Sequence, residues 1–324
     1  KIFQISHVKK INNKQIETIF ISNESPLKKI IRLPELIIKI KRYLNKTKKR
    51  LILIEGASWI FYSFVVIFFF KTFFPKIKII YISHSIESEI RQKYSNKFIY
   101  FLTKFLEKLV FQISDLSTSV SNKERKKIKL LYKTKTILLP NGIHLNKIKK
   151  QKIIKTDYII YTGSYLYKPN KDAIDYLNKS IMPKLIKKIP NINLVLTGGG
   201  FNQKYPWVIN KGIVSKNELY NLLQSSKCLC VPLKFGSGTR IKIIEALCLG
   251  AIVISSKKGI EGINLKNLNP PFVIDKEVKF IQAISNIIKN NKILKQKSSI
   301  SKKYYLENYS IKNIINKFIN ENKI

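Results

Sequence analysis

The sequence predicts an α/β protein made of two related units, each built from parallel strands and helices. Short apolar runs alternate with longer helical patterns in both halves, which implies βαβ units and parallel strand pairing. A lysine-rich stretch at residues 145–157 interrupts that alternation and reads as an interdomain linker, after which the pattern restarts. Eleven of the 12 glycines fall at or after Gly142, so most of the tight backbone approach is expected in the second unit.

In chain order, residues 34–49 read as a helix, 51–54 as a strand, 58–74 as a helix and 77–83 as a strand ending at His84. One long helical tract is expected over 85–112, then a strand near 116–120 and a helix from Asn122. The strand at 135–139 runs into Pro140-Asn141-Gly142, a strong turn signal. In the second unit, strands are expected at 158–161, 191–196 and 227–231, with helices at 170–188 and 218–226. Glycines at 163, at 198–200 and at 236–238 each follow one of these strands. In open parallel sheets ligands collect at the carboxyl ends of the strands, so these loops are expected to converge on a binding crevice.

Composition narrows the function classes. The chain carries 61 Lys+Arg against 19 Asp+Glu, a formal net charge of +42. Such an excess raises nucleic acid or an anionic membrane surface as partners. The lysines are spread from end to end among isoleucine and asparagine, however, and no aromatic and basic recognition segment gathers them. Nucleic acid is therefore not expected as a partner. Cys228, Cys230 and Cys248 offer neither an even disulfide set nor a zinc spacing, and read as small buried residues in a reducing compartment. The chain starts without methionine or a signal-peptide pattern, which makes a cytoplasmic location the expectation. The aromatic run 59–74 is too short to span a bilayer. With Lys46, Lys48 and Lys49 it reads either as a buried helix or as a peripheral contact with the inner face of an anionic membrane.

The most informative stretch is Gly236-Ser-Gly-Thr-Arg240-Ile-Lys242-Ile-Ile-Glu245-Ala-Leu-Cys-Leu-Gly250, followed by the apolar run 251–254. It reads as a flexible loop opening a helix that returns into a buried strand. Two cations in a first helical turn oppose the macrodipole, each by about 0.3 to 1 kcal/mol at an exposed site, unless an anion occupies that end. Gly236 and Gly238 would let the backbone approach a phosphate, free N–H groups would point at it, and Arg240 and Lys242 would neutralise it. Arg240 is the only arginine after Arg125 in a chain that otherwise uses lysine, and its planar fork suits bidentate phosphate binding. Glu245 lies about 9 Å along the axis from Thr239, a reach that fits diphosphate to ribose. The bland alternative is an ordinary charged surface helix.

Together these residues resemble glycosyltransferase family 4, the retaining sugar-nucleotide enzymes of GT-B fold. The likeness runs from about Ile77 to Tyr309 and rests chiefly on the 236–250 segment with Gly259-Ile-Glu-Gly262. Tyr161-Thr-Gly-Ser164 with Lys168-Pro-Asn170, Leu194-Val-Leu-Thr-Gly-Gly199, Ser83-His-Ser-Ile-Glu87, Pro140-Asn-Gly-Ile143 and Glu307-Asn-Tyr-Ser310 add to it. The resemblance implies two Rossmann-like domains facing across a cleft: an acceptor-side domain over 1–150, a donor domain over 151–308, and a helix at 309–324 crossing back. It implies that Arg240 and Lys242 bind the donor diphosphate and stabilise the leaving group, and that Glu245 holds the ribose. Gly163 and Gly199 would admit the nucleotide, with Gly238 and Thr239 beside it, and His84 would contact the transferring sugar. Glu87, Ser237 and Lys168 are further candidates.

Three departures from the family pattern stand out. Ser237 occupies a position that is Glu in many members, eight before Glu245, and residues 1–20 lack the glycine loop that usually follows the first strand, which is therefore absent or divergent. Ser164 stands where an arginine is often found, a function Lys168 or Lys171 could take. No Asp-x-Asp pair occurs, so neither a metal nor any other cofactor is expected beyond the nucleoside diphosphate sugar itself. The reading is hexosyl transfer to a glycan or lipid-linked acceptor in bacterial surface polysaccharide synthesis. A GT-B sugar-nucleotide epimerase, a basic nucleic-acid-binding protein and an inactive relative are the alternatives.

Overall fold

The computed structural model describes residues 2–6, 16–20, 31–45, 51–56, 60–143, 156–236, 240–263 and 271–322. The chain divides into two compact units, the first holding Lys1–Thr118 and Ile128–Ile137, the second Ser119–Lys127 and Leu138–Ile324.

In the first unit, β1 (Ile2–Ser6) and β2 (Ile16–Phe20) pair in parallel. Helix α1 (Leu33–Asn45) buries Leu33, Leu36 and Ile40 along one side. A four-stranded sheet follows in the order β3 (Leu51–Glu55), β4 (Lys78–Ile82), β5 (Leu116–Ser119) and β6 (Ile137–Leu138). Ile52 lies against Ile79 and Ile54 against Tyr81 in a parallel register. Helix α2 (Ile60–Phe73) buries Ile60, Ser63, Val66, Ile67 and Phe70 but leaves Phe68 and Phe73 exposed. The core reading of the aromatic run thus holds for one side of the helix; Lys46, Lys48, Lys49 and Trp59 lie outside the described residues.

The long tract expected over 85–112 is two helices, α3 (Glu87–Tyr94) and α4 (Lys97–Ile113). The break has a local cause. Ser95 N–H closes α3 on Arg91 O, and the Asn96 side chain accepts from Ile99 N at 2.8 Å, so Asn96 is worth more as a cap than as a helix interior residue. Helix α5 (Asn122–Tyr132) then leads to β6. Inside this unit the fully buried Glu107 carboxylate accepts from Glu87 N, Ser88 N and the Tyr132 hydroxyl, and so caps α3.

The second unit is a six-stranded sheet in the order β12-β11-β10-β7-β8-β9, from β7 (Tyr158–Thr162), β8 (Asn193–Thr197), β9 (Val208–Asn210), β10 (Cys228–Val231), β11 (Val253–Ser255) and β12 (Phe272–Val273), every pair parallel. Every residue of β7, β10 and β11 is buried, as expected of parallel strands covered on both faces. The helix expected over 170–188 is interrupted. It runs as α6 (Lys168–Tyr176), a π-helical segment at Leu177–Ile181 and α7 (Met182–Ile186). Pro183, near the start of α7, has no N–H to continue the ladder, and a widened turn absorbs the mismatch. Helix α8 (Lys216–Ser225) is capped by Ser215, which accepts from Glu218 N at 3.2 Å. Helix α9 (Ile241–Cys248) buries Ile243, Ile244, Ala246, Leu247 and Cys248, which fixes which of its faces remains for chemistry. Helices α10 (Glu277–Lys289), α11 (Asn291–Tyr309) and α12 (Ile311–Asn322) complete the unit. Ile143 and Tyr309–Ile311 exchange backbone hydrogen bonds, holding the Pro-Asn-Gly-Ile segment to the α11–α12 junction. The three cysteines are free and buried, as read from the sequence.

Candidate active site

The site is assembled at the carboxyl end of β7. Gly163, immediately after Thr162, adopts φ +132°, and its N–H donates to Thr197 O at 2.8 Å. A Cβ there would stand 2.7 Å from Asn170 Nδ2 and 2.9 Å from Lys242 Nζ, so only glycine leaves these groups room. Gly198, at φ +107°, closes β8 so tightly that a Cβ would lie 2.5 Å from the Gly163 carbonyl carbon. Gly199 O accepts from Tyr165 N at 2.9 Å and from Ser164 Oγ at 3.3 Å. The loops after β7 and β8 therefore converge, as the glycine spacing predicts.

Into this corner α9 delivers Lys242 from its first turn. The ammonium donates to Thr162 O and, at 3.0 Å, to Asn170 Oδ1, and it lies 4.2 Å from the centroid of the Tyr161 ring. Asn170, from the first turn of α6, also accepts from the Tyr161 hydroxyl at 2.8 Å and donates to Ser164 O at 2.9 Å. None of these partners carries a full negative charge. Burial pushes the Lys242 pKa down to about 7, helped by the neighbouring Arg240 charge.

Arg240 occupies the N-cap position of α9 with extended backbone, φ −82° and ψ 90°. Burial lowers its pKa as well, against the opposing pull of Tyr167, Glu261 and Tyr161. Gly236 turns the chain beneath it, where a Cβ would come 2.7 Å from Arg240 Nη2. Two cations thus share the positive end of a helix dipole in a partly buried corner, an arrangement that favours an anion between them.

Glu245 sits one turn further along α9, where Tyr220 donates to it at 3.4 Å and the Lys216 ammonium stands 4.0 Å away. Burial raises its pKa, with Lys216 and Tyr220 opposing. Glu261 of the Gly-Ile-Glu-Gly segment, whose charge acts on Arg240, pairs with Lys258 and Lys123.

The structure accordingly brings together Gly163, Gly199, Arg240 and Lys242, with Glu245 following on the same helix. Lys168 is exposed at the start of α6. Ser237, Gly238 and Thr239 lie outside the described residues. His84 and Glu87 belong to the first unit. His84 is half-buried in the bend after β4, and Glu87 accepts from Ile60 N at 3.1 Å and pairs with Arg91 at 3.0 Å, local partners that account for its position. Among the described residues no three His, Cys, Asp or Glu side chains gather as a metal site. The sequence motifs contain Tyr161 and Asn170, but sequence reasoning gave neither a role in the site. Their signal was an Asn in the first turn of a helix after a glycine-closed strand, legible only once Lys242 is known to approach it.

Residues 156–290 match the family model described as glycosyl transferases group 1. A 44.6 kDa protein of the cps region of Klebsiella pneumoniae is 26% identical over 178 residues, which cover 51% of this chain and 45% of that protein. A glycosyltransferase of Methanocaldococcus jannaschii is 24% identical over 275 residues, 77% of this chain and 69% of that one. Among solved structures, Anabaena HepE in complex with UDP superposes with a TM-score of 0.67 at 12% identity, covering 95% of this chain and 86% of its own. A glycosyltransferase from Rickettsia africae gives 0.66 at 14%, covering 98% and 88%. TarM gives 0.63 at 15%, covering 86% of this chain and 56% of TarM. The aligned stretch thus spans less than half of the Klebsiella protein and little more than half of TarM. The fold is the parallel α/β architecture of the GT-B glycosyltransferases.

Proposed function

We propose that this chain is a retaining, metal-independent hexosyltransferase that takes its sugar from a nucleoside diphosphate donor and passes it to a glycan or lipid-linked acceptor in surface polysaccharide synthesis. The observation that carries the proposal is the buried Lys242 ammonium beside Arg240 at the glycine-closed end of β7. A buried cation with only neutral partners is unfavourable until a counter-charge arrives. A donor diphosphate would supply it, and the same two cations would stabilise the negative charge that grows on the diphosphate as the glycosidic bond to it breaks. Glu245 would accept from the ribose hydroxyls. His84, on the first unit, is proposed to contact the transferring sugar.

The comparisons support the class of chemistry. The group 1 match falls within the unit that holds the cations, and HepE was solved with UDP, with UDP and glucose, and with UDP-glucose. A mutant of S. aureus TarM was solved with fondaparinux, α-GlcNAc-glycerol and UDP. The Klebsiella relative lies in a cps region, which supports a polysaccharide context.

A thermal-shift screen across nucleoside diphosphates and their sugars tests the reading, since a ligand that binds the native state raises the melting temperature as its concentration passes Kd. Stabilisation by at least one nucleoside diphosphate, and sugar transfer that continues in excess chelator, are the expected results. No stabilisation by any diphosphate would remove the donor site from the account; activity that chelator abolishes and a divalent ion restores would remove metal independence.

A further inference from the structure

Helix α4 (Lys97–Ile113) has two apolar faces, only one of which is buried. Thr103, Leu106, Glu107, Val110 and Phe111 pack inward. At 100° per residue, the opposite side carries Phe98, Phe101, Leu102 and Phe105, spaced i, i+3, i+4 and i+7. Their exposures are 74%, 62%, 45% and 59%, far above what such side chains show in a core. Lys97, Lys104 and Lys108 fall together along one flank of this stripe, about 90° from its centre on the same helical wheel. The only acidic residue of the helix, Glu107, is fully buried. The outward surface of α4 therefore offers aromatic rings and positive charge with no exposed carboxylate of its own.

From this surface we infer that α4 is the docking face of the first unit on an anionic lipid leaflet, lying in the plane of the interface with its phenylalanines entering the acyl boundary. The charge pattern selects the occupant. A second copy of the chain would bring the same lysine row and the same +42 excess against itself, which opposes self-association. An anionic leaflet meets the lysines with opposite charge while accepting the rings, and the lysine stems can extend along the apolar surface with their ammonium groups in the headgroups. No helix among the described residues is long and apolar enough to cross a membrane, so the contact is with the surface. This moves the contact expected of the run 59–74 onto α4, because α2 spends most of its apolar side on the core.

Cosedimentation of the full chain with vesicles of phosphatidylcholine alone and of phosphatidylcholine with phosphatidylglycerol, at low and high salt, tests the inference when the wild type is set beside Phe98→Ser/Phe101→Ser/Phe105→Ser and Lys97→Gln/Lys104→Gln/Lys108→Gln. A chain this basic can adhere to anionic vesicles by charge alone, so the phenylalanine variant is the deciding arm. It should lose about tenfold or more in partitioning to anionic vesicles, with an unchanged melting curve because the replaced rings are exposed. The lysine variant should lose binding at low salt and differ little from wild type at high salt. In a Phe101→Trp reporter, lipids brominated on their acyl chains should quench the indole. Equal partitioning of wild type and the phenylalanine variant, or an unquenched reporter, overturns the inference. So does concentration-dependent self-association that the phenylalanine variant abolishes in the absence of lipid.

Discussion

The Lys242 ammonium lies 3.0 Å from Asn170 Oδ1, joining two residues 72 positions apart at the end of one buried strand. Asn170 holds the cation with a neutral oxygen, so the charge is oriented without being cancelled. An aspartate there would neutralise it. Asn170→Ala should weaken nucleoside diphosphate binding by about 1 kcal/mol, the net worth of a neutral hydrogen bond, and Asn170→Asp should weaken it further by competing with the phosphate. Calorimetric titration of both variants checks this. Tighter binding by the aspartate variant would contradict it.

Lys242 also makes diphosphate affinity depend on pH. Its pKa stands near 7 in the free protein, and a bound anion would raise it, so binding takes up a proton between those two values. Affinity should therefore be greatest below pH 7 as far as this residue is concerned, and should fall by up to about tenfold per pH unit above it. The measurement belongs between pH 7.5 and 9, where a phosphate with its last pKa near 6 is already ionised. Titrations in buffers of different ionisation enthalpy should show proton uptake, which Lys242→Met should remove. A pH-independent affinity in that range would separate Lys242 from the bound anion.

Gly163 is constrained by both conformation and space. In Gly163→Ala the backbone would be strained at φ +132°, and the new methyl would displace Asn170 or Lys242. The expected outcome is a destabilisation of about 1 to 3 kcal/mol in denaturant unfolding, together with weaker diphosphate binding. Unchanged stability would show that the loop can relax away from this geometry.

Much of this was legible in the chain. The 236–250 segment announced a helix start and two cations, and the glycines at 163 and 198–200 marked strand ends that do converge. Single-residue signals such as Asn96 and Pro183 also carried the helix breaks, but apolar periodicity running through them hides a cap or a widened turn. What could not be read is the company Lys242 keeps. Tyr161 and Asn170 become its partners only because the end of β7 and the starts of α6 and α9 meet in one corner, a consequence of parallel strand order and not of local pattern. The exposure of the α4 stripe was hidden for a similar reason: a helix that is apolar on two sides looks buried until the packing of its neighbours is known.

Glu245 distinguishes two parts of the donor. Tyr220 and Lys216 already orient it, so Glu245→Gln should preserve the fold while weakening charge-assisted hydrogen bonds to a ribose. Nucleoside diphosphates should lose affinity more than inorganic diphosphate does. Equal losses for both would make Glu245 a support for α9 alone.

The central claim is that Arg240 and Lys242 form the diphosphate clamp, and titration of a nucleoside diphosphate such as UDP into wild type and Arg240→Ala tests it most directly. The variant should fold as the wild type does and lose about 1.5 to 3 kcal/mol of binding free energy, the range for hydrogen bonds to charged groups. Arg240→Lys should recover part of that loss, because it restores the charge without the planar fork. A folded Arg240→Ala protein that binds the diphosphate with wild-type affinity would contradict the account.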